Sequence, residues 1–198
     1  MSYIDTIKKR RSIYHLSDKL PVPAEELVSL VKDIVTESPS AFNMQSAKTV
    51  LLLGDGHKKL WDITEETLRK IVPAENFAPT ANKMSMFRNA AGTVLLYEDE
   101  DIVDSFKARF PAYANNFSTF ASHGNANVQI NLWNAFAELG IGANLQHYNP
   151  LIDEEVARTW GIPAGWKLVA QLVFGAPLAY PEAKEKVPAE ERVRIYNA

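Results

Sequence analysis

The chain has 198 residues, 46% hydrophobic and 23% charged, with 21 Lys and Arg against 24 Asp and Glu and a net charge of −3. That length supports a single domain, 1–198, with a substantial core. The slightly acidic balance gives no whole-protein attraction to nucleic acid or to an anionic membrane surface. The absence of cysteine excludes disulfides, thiol catalysis and Cys-based zinc sites. The first residues lack the apolar core of a secretory signal, and no stretch reaches the ~20 apolar residues of a membrane span. A cytoplasmic protein is the expectation.

Ser2 is placed to cap a first helix, roughly Tyr3 to Arg11, with Tyr3, Ile4 and Ile7 on one face. Pro21-Val22-Pro23 reads as a turn. Pro23 or Ala24 then opens a second helix, with Leu27, Leu30, Val31 and Ile34 at helical spacing. It must end near Ser38-Pro39, because the residue before a proline is pushed out of the helical region. Thr49 to Leu53 is a buried strand closed by a Gly54-Asp55-Gly56 turn. His57 to Val72 is helical, with Leu60, Trp61, Thr64, Leu68 and Ile71 on one face. Thr93 to Tyr97 is a second buried strand. The acidic run Glu98 to Asp101 after it suits the N-terminal dipole of a following helix.

The longest helix is expected from Asn116 to Leu139, carried by Val128, Leu132, Ala135, Phe136 and Leu139 and ended by Gly140. Its Ala, Asn and Gln content suits close packing against another helix. Asp153 caps a shorter helix through Trp160, stopped by Gly161-Ile162-Pro163. Leu168 to Phe174 is a third strand, and the charged tail after Pro181 is extended. Long helices interleaved with a few apolar strands make an α+β domain.

Two segments have chemical character. Arg10-Arg11-Ser12 offers forked donors and a hydroxyl suited to phosphate oxygens. Equally, basic residues there complement the dipole of the first helix. Ser38-Pro39-Ser40-Ala41-Phe42-Asn43-Met44-Gln45 combines small residues, which let backbone approach a planar ligand, with two amides that donate and accept. Its plainer reading is a helix stop and a loop. Phe42, Phe77, Phe110, Tyr113, Phe117 and Phe120 are candidates to wall a pocket. Phe110 to Phe120 is the candidate lid, because Pro111 and Asn115-Asn116 interrupt helix there. His15, His57 and His123 show no metal-ligand spacing, so no metal site is assigned, and no catalytic side chain stands out.

Taken in order, these segments resemble the FMN-dependent nitroreductase family, and within it the fungal nitroreductase-like subgroup and its bacterial relatives. The resemblance rests on Arg11-Ser12-Ile13-Tyr14, the Ser38 to Gln45 turn, Leu139 to Asn144 and Asn144 to Pro150, together with Gly161-Ile162-Pro163 and Pro181 to Lys186. It implies a nitroreductase-like fold, with a central, mostly antiparallel sheet flanked by helices in an intertwined homodimer with an extended C-terminal tail. It implies non-covalent FMN and ping-pong transfer of hydride from NADH or NADPH, through flavin N5, to a small aromatic acceptor such as a nitroaromatic or quinone.

By position, the resemblance gives Arg10, Arg11, Ser12, Lys184 and Lys186 to the phosphate and ribityl chain. It gives Ser38, Pro39, Ser40, Asn43 and Gln45 to one side of the flavin, and backbone N–H groups of His147 and Tyr148 to the N5 edge. In such a protein the flavin carries the redox step, which explains the lack of a catalytic triad or paired carboxylates. The chain departs from the family at Ser46-Ala47, where many relatives have Pro-Trp, and at Tyr14, where many have a base beside the flavin pyrimidine. Lys83 and Arg88 are candidates to supply that base. The alternatives are a flavin- or lipid-responsive regulatory protein of the same fold, and a helical interaction domain without a cofactor.

Overall fold

The computed structural model describes residues 2–197. Helix α1 (Tyr3–Lys9) begins with a capping box, in which Asp5 N–H donates to Ser2 Oγ at 3.2 Å and Ser2 N–H donates to Asp5 Oδ2 at 3.0 Å. It stops at Lys9, short of Arg11, because Arg10 turns to an extended conformation. The short strand β1 (Leu16–Ser17) precedes α2 (Ala24–Glu37), which gives way to extended Ser38 ahead of Pro39. Strand β2 (Ala47–Leu53) runs straight into α3 (Gly54–Arg69). Gly54-Asp55-Gly56 is therefore the first turn of that helix and not a separate turn. Gly54, at φ 53°, makes the corner.

Helix α4 (Ala78–Arg88) lies where no element was expected. Its apolar residues are too few and too scattered to form a stripe, and only Met84 and Phe87 are buried. Strand β3 (Gly92–Asp99) leads into α5 (Glu100–Arg109), whose Ile102 N–H donates to Asp99 Oδ1 at 3.3 Å. Helix α6 (Phe117–Glu138) is the longest element. After Gly140 the chain enters β4 (Gly142–Gln146), which the sequence reading did not include. Helix α7 (Asp153–Trp160) has Ile152 at its cap position, so Asp153 is its first residue and not its cap, and Gly161 at φ 62° ends it. Strand β5 (Trp166–Pro177) and the small helix α8 (Ala189–Arg192) in an exposed tail complete the chain.

Every ladder between these strands is antiparallel. β3 and β5 form the centre, β2 lies outside β3, and β4 and β1 share the far edge of β5 end to end. Side chains on the two faces pack against different helices. Leu95, Tyr97, Leu168 and Val173 join Leu60, Trp61, Met84, Phe87 and Val156 on the α3, α4 and α7 side. Val94, Leu96, Ala170, Leu172 and Phe174 join Leu27, Val31, Val128, Leu132 and Phe136 on the α2 and α6 side. A sheet covered on both faces accounts for the apolar run of β3 and for that of β5, broken only by the buried Gln171 between Leu168 and Phe174, since neither face meets water. The register shifts between Leu96 and Tyr97, leaving Val169 as an extra residue in β5. The architecture is the expected α+β fold with an antiparallel sheet and flanking helices. Among the described residues, no helix is long and apolar enough to cross a membrane.

Candidate functional site

The segment after α1 is laced onto the edge strand β4. Ile13 N–H donates to the Ala143 carbonyl at 2.8 Å, Ser12 bridges to Ala143, and the buried Asn144 amide donates to the Ile13 carbonyl at 2.8 Å. Gln146, also buried, donates to Asn144 Oδ1 at 2.8 Å. This amide chain fixes where Arg10, Arg11 and Ser12 emerge. The Arg10 guanidinium lies over the Trp133 ring, 4.6 Å from its centroid. Arg11 Nη2 donates to the Glu182 carbonyl at 2.7 Å, drawing the C-terminal tail to the same place. A narrow cleft there is lined by Arg11, Ile13, Trp133, Gly142 and Tyr180.

Among the described residues, no carboxylate lies within ion-pair distance of Arg10 or Arg11. Burial, and then the charge of Arg11, hold the Arg10 pKa below its usual value. The indole Nε1–H of Trp133 is buried with no acceptor among the described residues. Two adjacent, partly desolvated cations and an orphaned donor form a site short of negative charge. Lys184 and Lys186 lie in the exposed tail just beyond Glu182.

The Ser38 to Gln45 turn packs on α6 instead. Asn131 Nδ2 donates to Ser38 Oγ at 3.0 Å, Asn127 Nδ2 donates to the Pro39 carbonyl at 3.0 Å, and Gln45 N–H donates to Ser40 Oγ at 2.9 Å. A Cβ on Gly124 would come within 3.2 Å of Ser40 Cβ, so the glycine permits this close approach. Phe42, Asn43 and Gln45 all have left-handed backbone, with φ of 55°, 52° and 54°. Three such non-glycine residues in four positions concentrate backbone strain in the turn.

Residues 127 and 131 on α6 therefore hold the turn, and residue 133 carries Arg10. At 100° per residue, Trp133 stands about 200° around the helix from Asn131 and about 240° from Asn127. The two expected parts of the flavin site thus attach to different sides of one helix.

Past β4, the Tyr148 peptide finds a partner within the chain. Its peptide N–H donates to Gln171 Oε1 at 2.8 Å, because that fully buried amide needs partners, and Gln171 Nε2 reaches Asn149 Oδ1 at 3.3 Å. The N–H is therefore engaged inside the chain. His147 is exposed. Burial, then Tyr14, push the Tyr148 phenol up to about 12, so it stays neutral.

The structure separates the two candidate bases. Arg88 is tied to Asp62 at 2.7 Å and Glu65 at 2.6 Å, which clamps α4 to α3. Lys83 is exposed, and its ammonium lies 5.9 Å from the centroid of the Tyr148 ring.

Five of the six candidate aromatics meet. The Phe42 ring centroid lies 5.0 Å from Phe110, 5.4 Å from Phe117, 5.8 Å from Tyr113 and 6.3 Å from Phe120. Phe77 is elsewhere, buried beneath the Arg69 guanidinium at 4.2 Å. Beneath α6 next to this cluster is a cavity of about 440 Å³, lined by Val103, Ala121, Asn125, Leu168 and the buried Glu98. Asn125 donates to Glu98 Oε2 at 3.2 Å, and burial raises the Glu98 pKa. The sequence reading took Glu98 only as part of a solvated run. Its place within β3, paired opposite Ala47 of β2, keeps it buried although it is the last but one residue of the strand.

The comparisons with known proteins converge. The Saccharomyces cerevisiae proteins HBN1 and FRM2, the latter described as a nitroreductase, are 38% and 36% identical over 99% of this chain and 97% of their own lengths. The nitroreductase CinD from Lactococcus lactis, solved in complex with chloramphenicol, is 38% identical over 99% of this chain and all of its own, with a TM-score of 0.91. A structure of CinD with 4-nitrophenol superposes at a TM-score of 0.90. A Desulfovibrio desulfuricans protein in complex with FMN, 17% identical over all of this chain and 99% of its own, shares the fold at a TM-score of 0.73. The sequence profile of the Nitroreductase family matches residues 7–176, and the chain belongs to that family.

Proposed function

We propose that this protein is an FMN-dependent oxidoreductase that works as a homodimer on nitroaromatic or quinone acceptors, with NADH or NADPH as reductant. The observation that carries this reading is the Arg10–Arg11 pair, partly buried and without a carboxylate partner among the described residues, beside the orphaned Trp133 N–H. A phosphate fits this donor set, since it brings nearly two negative charges and several acceptor oxygens. Arg10, Arg11, Ser12, Lys184 and Lys186 would hold it. Ser38, Pro39, Ser40, Asn43 and Gln45 would line the flavin from the other side, with the His147 backbone at the reactive edge.

FMN, when bound, supplies the hydride chemistry in a ping-pong cycle. The chain's own part is placement, charge and exclusion of water. Arg10 and Arg11 neutralise the phosphate. Lys83, standing over Tyr148, supplies the positive charge that Tyr14 lacks at the family's usual position. The aromatic cluster around Phe42 keeps water from the acceptor and offers faces for stacking.

The same geometry favours a second copy. The turn and the basic cluster lie on different sides of α6, which supports a flavin site shared between two chains, one giving the turn and the other the cluster. Tyr3, Ile4 and Ile7 of α1 remain 65%, 55% and 42% exposed within one chain, an apolar face suited to a partner. CinD in complex with chloramphenicol and with 4-nitrophenol supports the acceptor class.

The absorption spectrum of the purified protein, followed by acceptor-dependent NAD(P)H oxidation, tests the reading. A yellow protein that oxidises the reductant only when a nitroaromatic is present is expected. Bound flavin with no turnover would favour the regulatory alternative, and a protein that takes up no FMN would end the proposal.

A further inference from the structure

We propose that Trp133 is a positioning residue for the cofactor phosphate: the face of its indole holds the Arg10 guanidinium in place while Arg11 repels it. The inference rests on the FMN reading above, which uses Trp133 only through its N–H, and assigns a separate role to the face of the indole.

Arg10 and Arg11 are adjacent, and both serve the same anion. Before an anion arrives, each disfavours the other, and burial adds to the cost at Arg10. An arginine in that position ordinarily swings to water or to a carboxylate. Arg10 has no carboxylate within ion-pair distance among the described residues. Its guanidinium instead sits 4.6 Å above the Trp133 ring, within the ~6 Å over which an aromatic face attracts a cation.

The platform is itself rigid. Trp133 belongs to the 22-residue helix α6 and packs on the core that contains Leu132, Phe136 and Ile141. Its indole also lines the cleft shared with Arg11, Ile13 and Tyr180. A flat, neutral surface is what this place requires. A carboxylate in its stead would hold Arg10 as firmly, but it would neutralise the charge meant for the phosphate and repel the phosphate. The indole holds the cation and leaves its charge available.

The test compares FMN with riboflavin, which has the ring and ribityl chain but no phosphate. Dissociation constants are measured by flavin fluorescence on stripped wild type, Trp133→Phe, Trp133→Leu and Arg10→Gln. Wild type binds FMN more tightly than riboflavin. Trp133→Leu lowers that preference by about two- to thirtyfold, the range of a lost cation–π contact. Trp133→Phe, which keeps an aromatic face, retains most of the preference. Arg10→Gln lowers it and makes the Trp133→Leu change add little on top, as expected for two groups acting as one unit.

Several results would overturn the proposal: an unchanged preference in Trp133→Leu, an equal loss of FMN and riboflavin binding, or Trp133→Phe as poor as Trp133→Leu. If Trp133→Leu does not fold, Trp133→Phe against Arg10→Gln decides, since the first must keep the preference and the second must lose it. A wild type that binds both flavins equally refutes the phosphate reading itself, an outcome distinct from failure of the Trp133 role.

Discussion

Asn131 Nδ2 donates to Ser38 Oγ at 3.0 Å across 93 residues of sequence. With Asn127 on the Pro39 carbonyl, it fastens a strained turn to the middle of α6. The strain needs such fastening, because three left-handed non-glycine residues would relax if the turn were free. Replacing Asn131 by Ala should therefore cost stability of ~1 kcal/mol and weaken FMN binding by about fivefold, through looser placement of Ser38 and Ser40. Denaturant unfolding and a flavin titration measure both. Unaltered flavin affinity with lowered stability would show that the turn is held for the fold alone.

Arg11 has two partners in this account, the Glu182 carbonyl and the phosphate. Arg11→Ala is expected to weaken FMN binding by about ten- to a hundredfold, from a charge-assisted bond of ~1.5–3 kcal/mol. Lys184→Ala should do the same. Only Arg11→Ala should also loosen the tail, seen as faster proteolysis after residue 178 in the apo protein. If both variants keep flavin as the wild type does, the phosphate lies elsewhere.

His57 gives the pH dependence. Its Nε2 lies 3.0 Å from the Phe87 carbonyl, which only accepts, so Nε2 carries the hydrogen, and Nδ1 accepts from Thr93 Oγ1 at 2.9 Å. Burial pushes its pKa down to about 4 from an ordinary 6.5, although the Phe87 carbonyl pulls the other way. The unfolded chain therefore binds a proton that the folded one refuses. Stability from this residue is complete above pH 6.5 and is lost as the pH falls towards 4. The loss reaches roughly 2–3 kcal/mol by pH 4.5. The melting temperature of His57→Gln should start lower at pH 7 and fall less on acidification than that of the wild type. Parallel pH profiles would remove His57 as the cause.

The sequence made some of this visible and hid the rest for physical reasons. β3 and β5 showed as largely apolar runs because helices cover both faces of the sheet, and α2 and α6 showed through apolar residues at helical spacing. α4 did not show. It is anchored by Arg88 reaching Asp62 and Glu65 on α3, and a local window sees the arginine without its partners. β4, Gly-Ala-Asn-Leu-Gln, is short and polar and exists by pairing with β5. In the site, Arg10 to Ser12 and the Ser38 to Gln45 turn were legible as segments. Asn127, Asn131 and Trp133 were not, because inside a long helix they look like filler until the fold brings distant partners to them.

Phe42 joins the strained turn to the aromatic cluster, and its two halves make opposite demands. Its backbone sits at φ 55°, which favours glycine, while its ring is half exposed and packs on Phe110, Phe117 and Tyr113. A residue kept in a costly conformation to present an aromatic face is expected to serve a ligand and not the core. Phe42→Gly relieves the backbone and deletes the ring, so global stability should change little. The KM for a nitroaromatic acceptor should rise about two- to tenfold, the range of a lost aromatic contact, while reduction of the flavin by NAD(P)H proceeds at its former rate. Phe42→Leu keeps bulk without the aromatic face, and should fall between. Steady-state kinetics on the acceptor, set beside stopped-flow reduction of the flavin, separates the two half-reactions. Equal loss in both would mean that Phe42 shapes the flavin site as a whole, and no loss in either would make its ring a packing element only.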